Sequence, residues 1–243
     1  MDRILIRKRQ GMILRMVIDD YTLHPRPVAS RMIVHKVRFS AATIRHIMAE
    51  LEEEGYLRKM HASAGRIPTD KGYRFYVDEL IGKKNLTKSE EKNIERAFDP
   101  SAKSEEIIDG FAHFLSKTFH LLGIILSPDQ KIFIEGWCNL LEEPEFASIE
   151  KVKGIFKLLE EKKRISAILE RHIQDEGVQV SIGRENKCEA INECSLITAT
   201  YKIKNNSQGI LGVIGPTRMR YLKIIPMVSS ISERLSKILT ERS

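Results

Sequence analysis

The positions Ile6, Gln10, Ile13, Leu14, Val17 and Tyr21 fall at helical spacing, which predicts an amphipathic helix over 6–23. His24-Pro25-Arg26-Pro27 interrupts it. Pro27 suits the first turn of a second helix, which carries Val28, Met32 and Ile33 inward and runs to about His35. Ser40 is a natural cap for a third helix with a buried stripe of Ile44, Ile47, Met48 and Leu51, and Gly55 is its stop. Residues 56–59 and 66–68 read as two short strands around a hairpin loop at 60–65. Thr69 can cap a further helix with Tyr73, Tyr76, Val77 and Leu80 on one face. Helix, turn, helix and basic hairpin in this order predict a winged helix-turn-helix over residues 1–82.

Beyond it the pattern changes. Residues 83–104 are polar and broken around 82–85 and 99–101, predicting a linker with a short helix. Ile107, Ile108, Phe111, Phe114, Leu115 and Phe119 predict a helix ending near Gly123, and residues 149–173 read as helical. Residues 178–182, 195–204 and 209–215 read as strands, the middle one alternating clearly. Tyr221, Ile224, Val228, Ile231, Leu235 and Ile238 mark a last helix, which Pro226 either starts or kinks. The fold class is α+β, with a mixed α/β domain over 105–243.

Charge sharpens the picture in one place. The net charge is +7, and residues 1–82 hold +5 of it, so an anionic partner is expected there. No apolar run reaches the length of a membrane span, and the first residues lack the apolar core of a signal peptide. Cys138, Cys188 and Cys194 form no CxxC pair and no metal spacing, which suits reduced thiols in a cytoplasm. No cofactor is expected.

The third helix would enter a major groove by its N-terminal end, offering Ser40, Ala41, Thr43, Arg45 and His46. Arg45 can read a guanine in bidentate fashion, and Ala41 or Thr43 can touch a thymine methyl. The acidic run at 50 and 52–54 lies at the helix's other end, where it can point away from DNA. Arg31 belongs to the helix before it, and Arg58, Lys59, His61, Ser63 and Arg66 to the wing. Gly65 would let Arg66 come close to a phosphate or a minor groove, although an ion pair with a surface carboxylate is the other fate open to Arg66. An enzyme is the first rival, with one of the cysteines as nucleophile and His113, His120 or His172 as base, but no P-loop, Rossmann or paired-carboxylate pattern accompanies it. A ligand-sensing regulator is the second, with residues 212–219 as a pocket loop or, equally, a strand-to-helix turn.

Several stretches resemble the HrcA family of heat-inducible transcription repressors: residues 27–31, 40–45, 48–52 and 63–80, then 136–141 with 144–146, 182–185, 194–196 with Tyr201, and 212–219. The runs at 63–80 and 212–219 are the most specific. The resemblance implies a bacterial, cytoplasmic, nucleoid-associated repressor. It would bind double-stranded DNA at the CIRCE inverted repeat as a homodimer, with the chaperonin GroEL keeping it active. The family architecture is a winged helix, a GAF-like domain and an inserted dimerising domain; GAF-like domains often bind small molecules. Two departures stand out. His46 replaces the Asn usual after the Thr-Ile-Arg run, which shifts base preference, adds a pH-sensitive contact, or is a tolerated exposed polar residue. The chain also passes almost directly from 121–127 to 132–136, where members carry a long segment. A reduced GAF-like domain over 105–243 is therefore expected, with a remnant of the inserted domain at roughly 132–175. Dimerisation could then fall to the last helix, through Tyr221, Val228, Ile231 and Leu235.

Overall fold

A computed structural model describes residues 8–61, 64–80, 86–98, 102–173, 177–203 and 207–242. It divides into two units, Met1–Lys83 and Lys84–Ser243. The start of the first expected helix and the breakers at 82–85 and 99–101 lie outside the described residues.

In the first unit, α1 (Lys8–Leu23) buries Ile13, Leu14, Val17 and Ile18. The next helix is shorter than the Pro27 signal suggests: α2 is Ser30–Ile33, followed by a 3-10 turn over Val34–Lys36. The reason is non-local. Val28 is extended and exchanges two 2.9 Å backbone hydrogen bonds with Arg66, so the chain cannot turn helical at Pro27. Ser40 caps α3 (Ala41–Glu53) as expected, its Oγ accepting the Thr43 N–H at 3.1 Å. Ile44, Ile47, Met48 and Leu51 are buried, and Gly55 takes φ +77° at the stop. β1 (Leu57–Lys59) and β2 (Arg66–Pro68) pair antiparallel, Lys59 opposite Arg66. Thr69 caps α4 (Asp70–Phe75), which continues as a π-helical turn over Tyr76–Leu80. In that turn the Tyr76 hydroxyl donates to Asp19 of α1 at 2.7 Å.

The second unit begins earlier than expected. Residues 83–104 include the short helix expected there. They hold α5 (Lys88–Arg96), capped by a Thr87–Glu90 box, with Ile94 buried and Phe98 stacked on Phe111 of α6 (Ser104–Phe119). Phe111 and Leu115 form the buried side of α6. The sheet is five-stranded and antiparallel, in the order β4 (Ile132–Glu135), β3 (Leu122–Leu126), β7 (Gln208–Pro216), β6 (Cys194–Lys202), β5 (Val178–Ile182). The last three match the expected strands within two residues. β3 is buried at every position, so it shows no alternation to read.

Helices cover both faces of the sheet. Leu122, Ile124, Leu196, Ile210 and Ile214 face a core completed by α7 (Trp137–Leu141), α8 (Ile149–Glu160) and α9 (Lys162–Glu170). Within the span expected to be a remnant of an inserted domain, β4 is the edge strand of the sheet and α7, α8 and α9 cover one of its faces. The helical run at 149–173 is two helices because Glu161 leaves the helical region at ψ 72°.

α10 (Tyr221–Arg242) packs against β6 and against α5 and α6. It starts five residues before Pro226 and runs through it. Tyr221, Val228, Ile231 and Leu235, expected at a dimer interface, are each 0% exposed. Their stripe faces the sheet, and the Tyr221 hydroxyl bonds Ser195 Oγ at 2.6 Å and the Thr217 carbonyl at 2.7 Å. These four hold the core together and cannot serve as an exposed dimer surface.

Gly136 joins β4 to α7 at φ +84°, where a Cβ would collide with Ser116 Oγ and the Leu121 carbonyl. Gly136→Ala is expected to cost about 2 kcal/mol or more in urea denaturation, from strain and collision together.

Candidate nucleic-acid interface

Sequence order places α2 and α3 around a short turn, and the cap at Ser40 leaves the first turn of α3 facing outward. Ser40, Ala42, Thr43, Arg45 and His46 are exposed there, and Ala41 is half-buried. The Ser40 and Thr43 hydroxyls lie 2.9 Å apart and hold each other. Arg45 and, on α2, Arg31 are exposed and have no carboxylate partner among the described residues. His46 lies 3.3 Å from Glu50, one turn on. Arg38, exposed in the turn between the helices, extends the basic surface, and sequence reasoning missed it. The overlooked signal was its position two residues before the capping Ser40.

The acidic run has a structural task. Glu50 and Glu54 both accept from the Gln10 amide, at 3.0 and 3.2 Å, tying α3 to α1. Glu52 lies 2.9 Å from Arg66 Nε and 3.3 Å from Lys59 Nζ. Lys59 and Arg66 are opposite partners in the β1–β2 ladder, so their side chains share a face and converge on one carboxylate. Glu52 thereby links α3 to both strands.

Of the two fates open to Arg66, the structure shows the ion pair: only 8% of the residue is exposed, and its guanidinium bonds Glu52. Gly65 has a different role. A Cβ there would sit 2.5 Å from the Val28 backbone, so glycine permits the Val28–Arg66 bridge rather than an approach to phosphate. Arg58 and His61 are exposed, and among the described residues Arg58 reaches the Met60 sulfur at 3.7 Å. Lys59 is partly exposed while held by Glu52. Ser63 lies outside the described residues.

The rival chemistries gain no support from the geometry. His172 is occupied by Thr198 at 2.6 Å and Ser181 at 3.1 Å. Cys188 accepts from Arg164 at 3.6 Å. Burial, with Glu193 nearby, pushes the Cys194 thiol up to about 12. Cys138 alone of the three is exposed. A thiol reagent at pH 8 is accordingly expected to label Cys138 quickly and to reach the other two only on unfolding. Among the described residues no cluster has the makings of a metal site. The 212–219 run is a strand and turn: a Cβ at Gly212 would strike the Ile197 carbonyl, and Arg218 is clamped by Glu143 and Glu145. No helix of the described residues is long and apolar enough to cross a membrane.

Residues 73–225 match the model of the HrcA protein C-terminal domain. The chain belongs to the HrcA family. The heat-inducible transcription repressor HrcA of Shouchella clausii (strain KSM-K16) is 30% identical, with 97% of this chain and 99% of that protein covered. The protein of the same name from Geobacter sulfurreducens is 29% identical over 96% of this chain and 98% of its own length. The first of these alignments spans 339 positions against 243 residues here, so this HrcA family member lacks sequence that its relative carries. A crystal structure of a protein described as hypothetical, 19% identical, shares the fold with a TM-score of 0.83 over 98% of this chain and 100% of that one.

Proposed function

We propose that this HrcA family member is a sequence-specific transcription repressor whose first unit is a winged helix that binds double-stranded DNA. The observation that carries the reading is the exposed N-terminal end of α3, capped by the Ser40 hydroxyl, where Arg45 has no carboxylate partner among the described residues, with a carboxylate scaffold at the opposite end. In this reading α3 enters the major groove, Arg45 reads a base, and Arg31 and Arg38 contact backbone phosphates. β1 and β2 form the wing, and Arg58, Lys59 and His61 take the phosphate role that Arg66 cannot. The second unit is a reduced GAF-like domain. The operator is an inverted repeat of the CIRCE type, read by a homodimer because a two-fold protein mirrors a two-fold site. GroEL modulates activity, and the protein works in the bacterial cytoplasm at the nucleoid.

Arg58→Ala is expected to weaken binding to operator and scrambled DNA alike and to lower the salt slope by about one unit, as the loss of one phosphate contact should. A reporter under a promoter carrying the inverted repeat tests the whole reading. Repression that needs the intact repeat, lifts on heat shock and deepens with extra GroEL is the expected result. Equal expression from intact and scrambled repeats would refute it.

A further inference from the structure

We propose that a cleft in the second unit, between α8 and the 3-10 turn over Glu189–Ile191, binds a small zwitterion with an apolar body: a free apolar amino acid or a short apolar peptide. The cleft has a volume of about 450 Å³, the size of a small-molecule site. Phe146, Ile155 and Cys194 line its apolar part, and each is buried. Gly154 of α8 lines it too. A glycine weakens a helix interior, and this one answers no steric need: among the described residues a Cβ there would meet the Ala190 Cβ alone, at 4.0 Å. What the missing side chain leaves is open volume between α8 and Ala190. The 212–219 run has no part in this site.

Charge selects the ligand. Most charged residues of the cleft are already matched. Lys151 Nζ lies 2.5 Å from Glu193, Arg164 lies 3.2 Å from Glu161, and Glu150 accepts from the Ser148 hydroxyl at 2.6 Å. Lys157 and Glu189 differ: both are exposed, and neither side chain has a hydrogen bond or ion pair among the described residues. One cation and one anion are thus left over on the walls of a cleft with an apolar interior. A phosphate would meet the Glu189 and Glu150 carboxylates, and a polyamine would meet the Lys157 ammonium. An uncharged apolar molecule would strip water from both charges and return nothing. A ligand with a carboxylate for Lys157 and an ammonium for Glu189 satisfies both by charge-assisted hydrogen bonds, while its apolar body covers Phe146 and Ile155.

Calorimetric titration of the full chain with L-leucine and with L-leucyl-L-leucine tests this. At least one of them is expected to bind, and which one does fixes the length of the ligand. The matching amide lacks the carboxylate and the N-acetyl form lacks the ammonium; each should bind about tenfold or more weakly, as loss of a charge-assisted hydrogen bond does. Lys157→Ala should erase the preference for the free carboxylate alone, and Glu189→Gln the preference for the free ammonium alone. A merely structural effect would weaken every ligand equally. Gly154→Leu fills the cleft and should abolish binding without lowering the unfolding temperature, since leucine favours the helix. Were that variant unstable, the two exposed wall residues would still carry the test. No binding of either compound at millimolar concentrations, or amide and N-acetyl forms that bind as tightly as the parent, would overturn the proposal. The repressor reading, which rests on the first unit, would stand.

Discussion

Replacing Arg45 with alanine should leave stability unchanged and remove about 1–3 kcal/mol of discrimination between operator and scrambled DNA. The side chain is exposed on the first turn of α3, supports no buried group and pairs with no carboxylate among the described residues. Its guanidinium is therefore free to form two parallel hydrogen bonds with one base, and alanine forfeits both. The signature is a change in the ratio of affinities, not in nonspecific binding. Arg45→Lys should recover charge and little of the specificity, because an ammonium cannot present the planar fork. Competition binding at one salt concentration measures the ratio directly. An unchanged ratio would move the recognition element away from this turn.

Arg66→Ala should give the opposite signature. A protein with a phosphate-binding Arg66 would keep its stability and lose one unit of salt slope. The structure instead buries the guanidinium against Glu52, so the expected loss is in folding. Removing one partner of a fully buried ion pair costs ~3–5 kcal/mol, but Glu52 is 28% exposed and keeps Lys59, which brings the expectation to about 2 kcal/mol. Urea denaturation measures it. Glu52→Gln should share part of the loss, since it leaves Lys59 and Arg66 facing each other across the ladder with their common counter-ion removed. If Arg66→Ala were as stable as the wild type and bound all DNA more weakly, the Glu52 link would be irrelevant to folding.

The contrast between these two arginines shows what the sequence could reveal. Signals whose cause lies within one turn were legible: Ser40 and Thr69 as caps, Gly55 as a stop, the α3 stripe as the buried side. Pro27 misled because the competing hydrogen bonds join the next residue, Val28, to Arg66, 38 residues further along the chain. Arg66 stayed open between phosphate and carboxylate for a related reason: only the ladder register, with Lys59 opposite, turns it toward α3. The α10 stripe was correctly seen as apolar, but periodicity states that a face is covered without saying by what; the sheet covers it here. β3 was missed because both its faces are buried, and β4 because four residues are too few to alternate visibly. Exposure at Leu141 and Ile149 could not be read either, since apolar residues in short helices look the same in sequence whether covered or bare.

The central claim is that the first turn of α3 confers preference for one DNA sequence. The most direct measurement is the affinity of the purified chain for a labelled CIRCE inverted repeat and for scrambled DNA of equal length, titrated across salt, with and without GroEL. The expected result is tight binding to the repeat that survives at salt concentrations where scrambled DNA is released, with a ratio that falls in Arg45→Ala. Equal affinity for both DNAs at every salt concentration, with GroEL present or absent, would contradict it.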